Sequence, residues 1–170
     1  MRVFSEVQRF NQWWFYLIIF SVAASVYIPL FLFGTEERSL PTEAFWITVG
    51  SVLFVTVLFL WMVFVLRLKT TINEQGIQYQ FKGFHRAPKE IDWRDLDQAY
   101  VRTYRPLSEY GGWGIRGSLG TSNKAYNVRG NKGLQLVFKN GNRILIGTQQ
   151  PEILKKVLTT YHSKIVSHEH

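Results

Sequence analysis

Four groups of side chains in this 170-residue sequence have types that could carry chemistry. Glu90, Asp92, Asp95 and Asp97 crowd one turn with Arg94, and paired carboxylates can exchange protons as general acid and base. No nucleophile converges on them, so a solvated turn is the expected state. His85, His162, His168 and His170 are possible metal ligands. His85, however, stands next to Arg86, and the other three trail toward the C-terminus without the fixed spacing on rigid elements that zinc sites use. Cysteine is absent, which removes disulfides, thiolate nucleophiles and cysteine metal clusters from consideration.

Gly112-Trp113-Gly114-Ile115-Arg116-Gly117 spells GxGxxG, the spacing by which a strand-to-helix turn approaches a pyrophosphate. The following Ser118-Leu119-Gly120 has no helical period, and positions 130 to 140 contain no acid to hold a ribose hydroxyl. These glycines fit a bulged entry into a strand, with Trp113 packed or presented beside it. The expectation is a protein that is not an enzyme, with no catalytic residue, cofactor, metal or nucleotide.

The fourth group is cationic and aromatic: Arg102, Arg105, Trp113, Arg116, Lys124 and Arg129, with Tyr100, Tyr104 and Tyr110 among them. Such sets bind anions or partner surfaces, and Trp and Arg often dominate interface energetics. Period-two spacing already accounts for the tyrosines as strand residues, so no specific nucleic acid is expected. Residues 67 to 170 hold 17 Lys and Arg against 8 Asp and Glu, whereas residues 1 to 66 hold 3 against 4. The formal charge of +8 therefore resides in the C-terminal part, where a solvated surface with a positive-inside bias is the plain reading. The expected partners are membrane lipids and other membrane-protein subunits.

The elements that must position these residues begin with two uncharged apolar runs, 13 to 33 and 44 to 66. At about 1.5 Å per residue each reaches roughly 30 Å as a helix, the thickness of a bilayer core. The intervening residues, Gly34 to Glu43, carry three acids, one arginine and Pro41, as a short turn would. The expectation is a transmembrane hairpin. Arg2 and Arg9 before it, and Arg67 and Lys69 after it, direct both termini to the cytoplasm, in an inner or plasma membrane. A cleaved secretory signal is the rival reading, with Ala23-Ala24-Ser25 as its small-residue site. The apolar run continues past that site, which favours an uncleaved span. Ser21 and Ser25 in the first run, and Thr48, Gly50 and Ser51 in the second, allow close backbone approach, either within the hairpin or to another subunit. Neither run holds an ionisable residue, so no ion path or proton relay is visible.

From Arg67 the period changes to two. Ile77, Tyr79 and Phe81 alternate with Gln78, Gln80 and Lys82. Further strands are expected near 66–72, 90–93, 98–104, 114–119, 124–128, 134–138 and 143–146. Asn73 to Gly76 closes the first pair, and Asn140-Gly141 reads as a two-residue hairpin turn with both central residues at positive φ. A helix follows Pro151, which suits a first helical turn. Its apolar stripe is Ile153, Leu154, Val157, Leu158, Tyr161 and Ile165.

The segments TINEQGIQYQF, IDWRDLDQAYVRTY, YGGWGIRG, AYNVRGNKGLQLVFKNGNRILIGT and PEILKKVL resemble, in order, the bacterial membrane-anchored PH-domain proteins. The resemblance covers Arg67 to Leu158. It implies an α+β membrane protein: a helical hairpin over 1–66, then a cytoplasmic PH-like (pleckstrin-homology-like) antiparallel barrel of about seven strands over 67–170, capped by a C-terminal helix. No catalytic residue carries over. Phosphoinositide-binding members of the wider PH group place cations around the first strand-to-strand loop. The loop matched here, Asn73 to Gly76, carries Glu74 instead. The functional expectation is a non-catalytic binding or scaffold protein, an accessory subunit of a membrane complex, with reading of anionic lipid headgroups as the alternative.

Overall fold

The computed structural model describes residues 3–10, 13–33, 42–117 and 123–166. The chain is α+β, with two sheets and a C-terminal helix. It divides into two compact units, one of Met1–Arg9 with Leu66–His170, the other of Phe10–Val65. The sequence boundary at residues 66 and 67 therefore misassigns the N-terminus: a strand there belongs with the sheets.

That strand, β1 (Phe4–Arg9), pairs antiparallel with β2 (Arg67–Ile72) from Phe4↔Ile72 to Arg9↔Arg67. β3 (Gly76–Lys82) and β4 (Lys89–Asp92) complete the first sheet in the order β1-β2-β3-β4. Inward-facing Phe4, Leu68, Ile72, Ile77, Tyr79, Phe81 and Ile91 are buried. β1 departs from the usual apolar-in alternation. Glu6 and Gln8 point inward, while Val3 and Val7 are exposed. Hydrophobic alternation, the main cue for a strand, is thus broken there.

The second sheet is ordered β5-β8-β9-β7-β6, from β5 (Leu96–Thr103), β6 (Gly114–Gly117), β7 (Lys124–Asn127), β8 (Lys132–Phe138) and β9 (Arg143–Gly147). β7 runs parallel to β9 and all other pairings are antiparallel. Nine strands thus stand among the described residues where about seven were expected. A 3₁₀ turn at Trp93–Asp95 joins the two sheets, with Asp92 accepting from the Arg94 amide and pairing its guanidinium at 2.8 Å. This is the solvated acidic turn that the spacing suggested.

Asn73 closes the β2–β3 hairpin by accepting from the amides of Gln75 and Gly76 with its side-chain oxygen. The β8–β9 turn differs from expectation. Gly141 alone takes positive φ, +81°, and its amide donates to Phe138 while the Phe138 amide donates to Asn142. One left-handed glycine after a tight turn gives the longer three-residue hairpin connection, which spares Asn140 the left-handed strain.

α4 (Pro151–Val166) buries Leu154, Val157, Leu158 and Tyr161, spaced i, i+3, i+4 and i+7. Ile153, expected on this stripe, is 54% exposed because it lies one residue, about 100°, off the Leu154 row. The Ile165 side chain lies outside the described residues. Tyr161 stacks on Trp93 at 5.3 Å between ring centroids, and Tyr79 of β3 meets Tyr126 of β7 at 4.8 Å, joining helix and both sheets through aromatic contacts.

The other unit contains α1 (Trp13–Phe33) and α2 (Thr42–Val65), which pack on each other. Among the described residues, Trp46–Val65 is long and apolar enough to cross a membrane, while α1 supplies a shorter apolar run, Tyr16–Ser25. The expected acidic turn at 34 to 41 lies outside the described residues. Ser25 and Ser51 donate to the carbonyls of Val22 and Thr48 in their own helices. Gly50 and Ser51 are exposed, and nothing within 4 Å would meet a side chain at Gly50. Gly50 therefore does not serve close packing of α2 on α1.

Candidate binding surface

The six expected surface residues fall into two groups and one outlier. The first group surrounds α3 (Pro106–Tyr110), a short helix that starts on proline and ends at Gly111 in the left-handed conformation, φ +68°. The Glu109 carboxylate turns back to accept from the Arg105 amide at 2.7 Å, and its other oxygen accepts from Arg102 at 2.7 Å. Arg102 also donates to the Gln135 side chain at 3.0 Å and to the Tyr110 hydroxyl at 3.2 Å. This arginine therefore ties β5 to β8 and to α3. Its side chain is 27% exposed, and its role is that of an internal brace rather than of an open surface cation.

The ion pair leaves matching signatures. Hydrogen bonding from Arg102 holds the Glu109 carboxyl below its ordinary range, against a smaller opposing effect of burial. Burial works against the Arg102 charge, yet Glu109 and Tyr110 leave the guanidinium more basic than usual. Under this brace, Tyr104 packs edge-on to Tyr110 at 6.0 Å, and burial pushes the Tyr104 phenol up to about 12 while the Asn127 amide works the other way.

The second group is Trp113, Arg116 and Arg129. The Trp113 indole donates to the Gly130 carbonyl at 3.1 Å, and Arg116 Nε donates to the Trp113 carbonyl at 3.1 Å. Arg129 Nε donates to Gln149 Oε1 at 3.1 Å, while Gln149 Nε2 donates to the Arg129 carbonyl at 2.8 Å. Gly114 enters β6 with φ +115°, and its amide donates to the Asn127 side chain at 2.9 Å. The GxGxxG run is thus a strand entry, and β6 rather than a helix opens at Gly114. Lys124 is the outlier: it is exposed at the start of β7, opposite Gly117. Residues 118–122 between them are not described.

Residues that sequence reasoning missed connect this surface to the N-terminal strand. The buried Glu6 carboxylate accepts from the Thr148 hydroxyl at 2.7 Å and from the Gln149 amide at 2.7 Å. Gln8 donates to the Gly147 carbonyl, and Thr148 in turn accepts from the Gln150 amide at 3.0 Å, one residue before α4. An unbroken run of hydrogen bonds and chain therefore leads from β1 through Gln149 and Arg129 to Trp113. Glu6 and Gln8 interrupt the apolar face between Phe4 and Phe10, and that break is a cue that points away from a strand.

These contacts fix the Trp113 indole and the Arg116 and Arg129 guanidinium groups, while the one hydroxyl–carboxylate contact among them, Thr148 to Glu6, is buried between β1 and the start of α4. Comparison with protein-family models, with curated proteins and with solved structures finds no match.

Proposed function

We propose that this chain is a membrane-anchored, non-catalytic binding or scaffold protein, an accessory subunit of a larger membrane complex, whose sheet unit binds its partner through Trp113, Arg116 and Arg129. One observation carries the reading. β1 and β2 are directly paired and the whole helical segment lies between Arg9 and Arg67. A bilayer crossed by that segment must be crossed an even number of times, since both strands lie in one sheet. With α2 as one span, α1 is the other, and both termini share a side. Arg9, Arg67 and Lys69 make that side the cytoplasm of an inner or plasma membrane. Exposed Trp46, Ile47, Leu53, Phe54 and Phe64 along α2 support contact with lipid or with neighbouring spans.

Two sheets with a C-terminal helix also support a PH-like barrel. In that reading the first strand-to-strand connection is the helical pair itself, and Asn73 to Gly76 is the second. The position that gathers phosphate-binding cations in other PH domains carries an anchor here. The small residues on open helix surfaces, Ser25, Gly50 and Ser51, support docking of further spans.

Purification of the full chain from native membranes in mild detergent, followed by mass spectrometry, tests the reading. A stoichiometric membrane partner that is lost on Trp113→Ala with Arg116→Ala, and kept on Asp92→Ala with Asp95→Ala, is expected. A chain that purifies alone refutes the subunit role. Single cysteines test the topology: labelling of Asn140→Cys by an impermeant reagent in intact cells, with Thr42→Cys unlabelled, would reverse it.

A further inference from the structure

Residues 110–151 hold six cations, Arg116, Lys124, Arg129, Lys132, Lys139 and Arg143, and no Asp or Glu. That stretch builds β6, β7, β8 and β9, four of the five strands of the second sheet. The ion pairs among the described residues lie elsewhere, at Asp92, Glu109 and Glu152, so none of the six cations is neutralised there by a neighbouring carboxylate. A surface of one sign attracts a partner of the other and repels a second copy of itself.

Within this sheet β6 is the last strand, with β7 on one side and no strand on the other among the described residues. An edge strand presents a row of N–H and C=O groups to an incoming chain. Here the approach is open. A Cβ at Gly114 or Gly117, which bound β6, would meet nothing within 4 Å, and Ile115 and Arg116 between them are exposed. At the opposite edge of the sheet α4 packs against β5, which carries Asp97. The register sorts the side chains of β6: Arg116 stands beside Ala125 on one face, while Ile115 stands beside Tyr126 and Gly117 beside Lys124 on the other. Arg116 Nε donates to the Trp113 carbonyl, which leaves both terminal nitrogens of its guanidinium for a carboxylate. Gly117 has no side chain to stand between a new strand and Lys124, so a long acidic side chain and the lysine can meet across two strand spacings, about 10 Å.

We propose that β6 takes an extended acidic segment of the partner protein as a further strand, with carboxylates set against Arg116 and Lys124 and an apolar side chain beside Ile115. The proposal rests on the partner-binding reading and names the class of segment that the surface accepts. Main-chain bonds to the β6 edge supply a general hold, and alternate side chains supply selection. An extended acidic polypeptide uses both the charge and the edge, whereas a nucleic acid or a lipid surface meets the charge and leaves the edge unused. The cations that draw an acidic strand also keep away the β6 of a second copy, which protects an edge that would otherwise pair with itself.

The test titrates the full chain, in neutral detergent, with a fluorescent peptide of alternating glutamate and valine. Two polyanions serve as controls: the same peptide N-methylated at every amide, which keeps its side chains and donates no backbone hydrogen bond, and a single-stranded oligonucleotide. The plain peptide should slow hydrogen exchange at the amides of residues 115 to 117. N-methylation, or Arg116→Ala with Lys124→Ala, should weaken its binding at least about ten-fold. The N-methyl comparison needs no variant and stands even if the double variant folds poorly. Equal binding of the two peptides, tighter binding of the oligonucleotide, or no binding of the plain peptide overturns the added strand. The partner surface survives that result if a membrane partner still co-purifies and is lost on Trp113→Ala with Arg116→Ala. A chain that purifies alone yet binds the plain peptide in the expected way overturns the subunit reading and keeps the acidic-strand site.

Discussion

Replacement of Glu6 by alanine should destabilise the sheet unit by about 3 to 5 kcal/mol. Both oxygens of this buried carboxylate accept hydrogen bonds of 2.7 Å, one from the Thr148 hydroxyl and one from the Gln149 amide. Hydrogen bonds to a charged group contribute roughly 1.5 to 3 kcal/mol each, and the buried Thr148 O–H left without its acceptor carries its desolvation cost. The two bonds share one acceptor group and do not add fully, so the lower part of their sum is expected. Glu6→Gln separates bonding from packing. Its carbonyl can still accept from the Gln149 amide, and the Thr148 hydroxyl can rotate to accept from the new amide, so a loss of about half that of alanine follows. For a unit of this size about 4 °C accompanies each kcal/mol. Thermal unfolding of the full chain in detergent, followed by near-ultraviolet circular dichroism, should therefore drop by roughly 12 to 20 °C for alanine and about half as much for glutamine. Hydrogen exchange of the β1 amides should rise in the same order. A change within about 0.5 kcal/mol for Glu6→Ala, the range of plain surface substitutions, would mean that β1 is not latched to the second sheet.

Leu154→Ala, at a site 1% exposed on α4, should cost roughly 2 to 5 kcal/mol in the same unfolding assay, and a surface-sized loss would place the helix off the core. Gly76→Ala should cost about 1 to 3 kcal/mol, because an added Cβ would collide with the Ile91 carbonyl; an unchanged melting temperature would refute that close approach. Burial, then the nearby Lys89 charge, lowers the His85 pKa, so the neutral ring favours the fold. Its contribution is present above about pH 6.5 and is lost as pH falls through the lower folded value. An NMR titration should find His85 protonating below an ordinary histidine, with the Phe81 amide shifting in step. A midpoint at or above the ordinary value contradicts the Nδ1 contact.

Strands 67–72 and 76–82 and the helix from Pro151 were legible in the sequence because each buries one face, and burial of one face imposes period two on a strand and 3.6 on a helix. The apolar stretch of α2 was legible because its length matches that of a bilayer crossing. Trp113 and Arg129 were visible as residue types. Their joint fixing through Gly130 and Gln149 was not, since those contacts span 17 and 20 residues. Arg102 carried the same sequence signal as Arg116, yet Gln135, Glu109 and Tyr110 convert it to a brace. The largest gap was β1. Inward Glu6 is satisfied by Thr148 and Gln149 and the Gln8 amide N–H by Gly147, from 139 to 143 residues away, while the Gln8 side-chain oxygen is buried without a partner among the described residues. Local sequence records the residues that prefer to be buried, whereas the partners that make a polar residue burial-competent are supplied only when the chain folds back on itself.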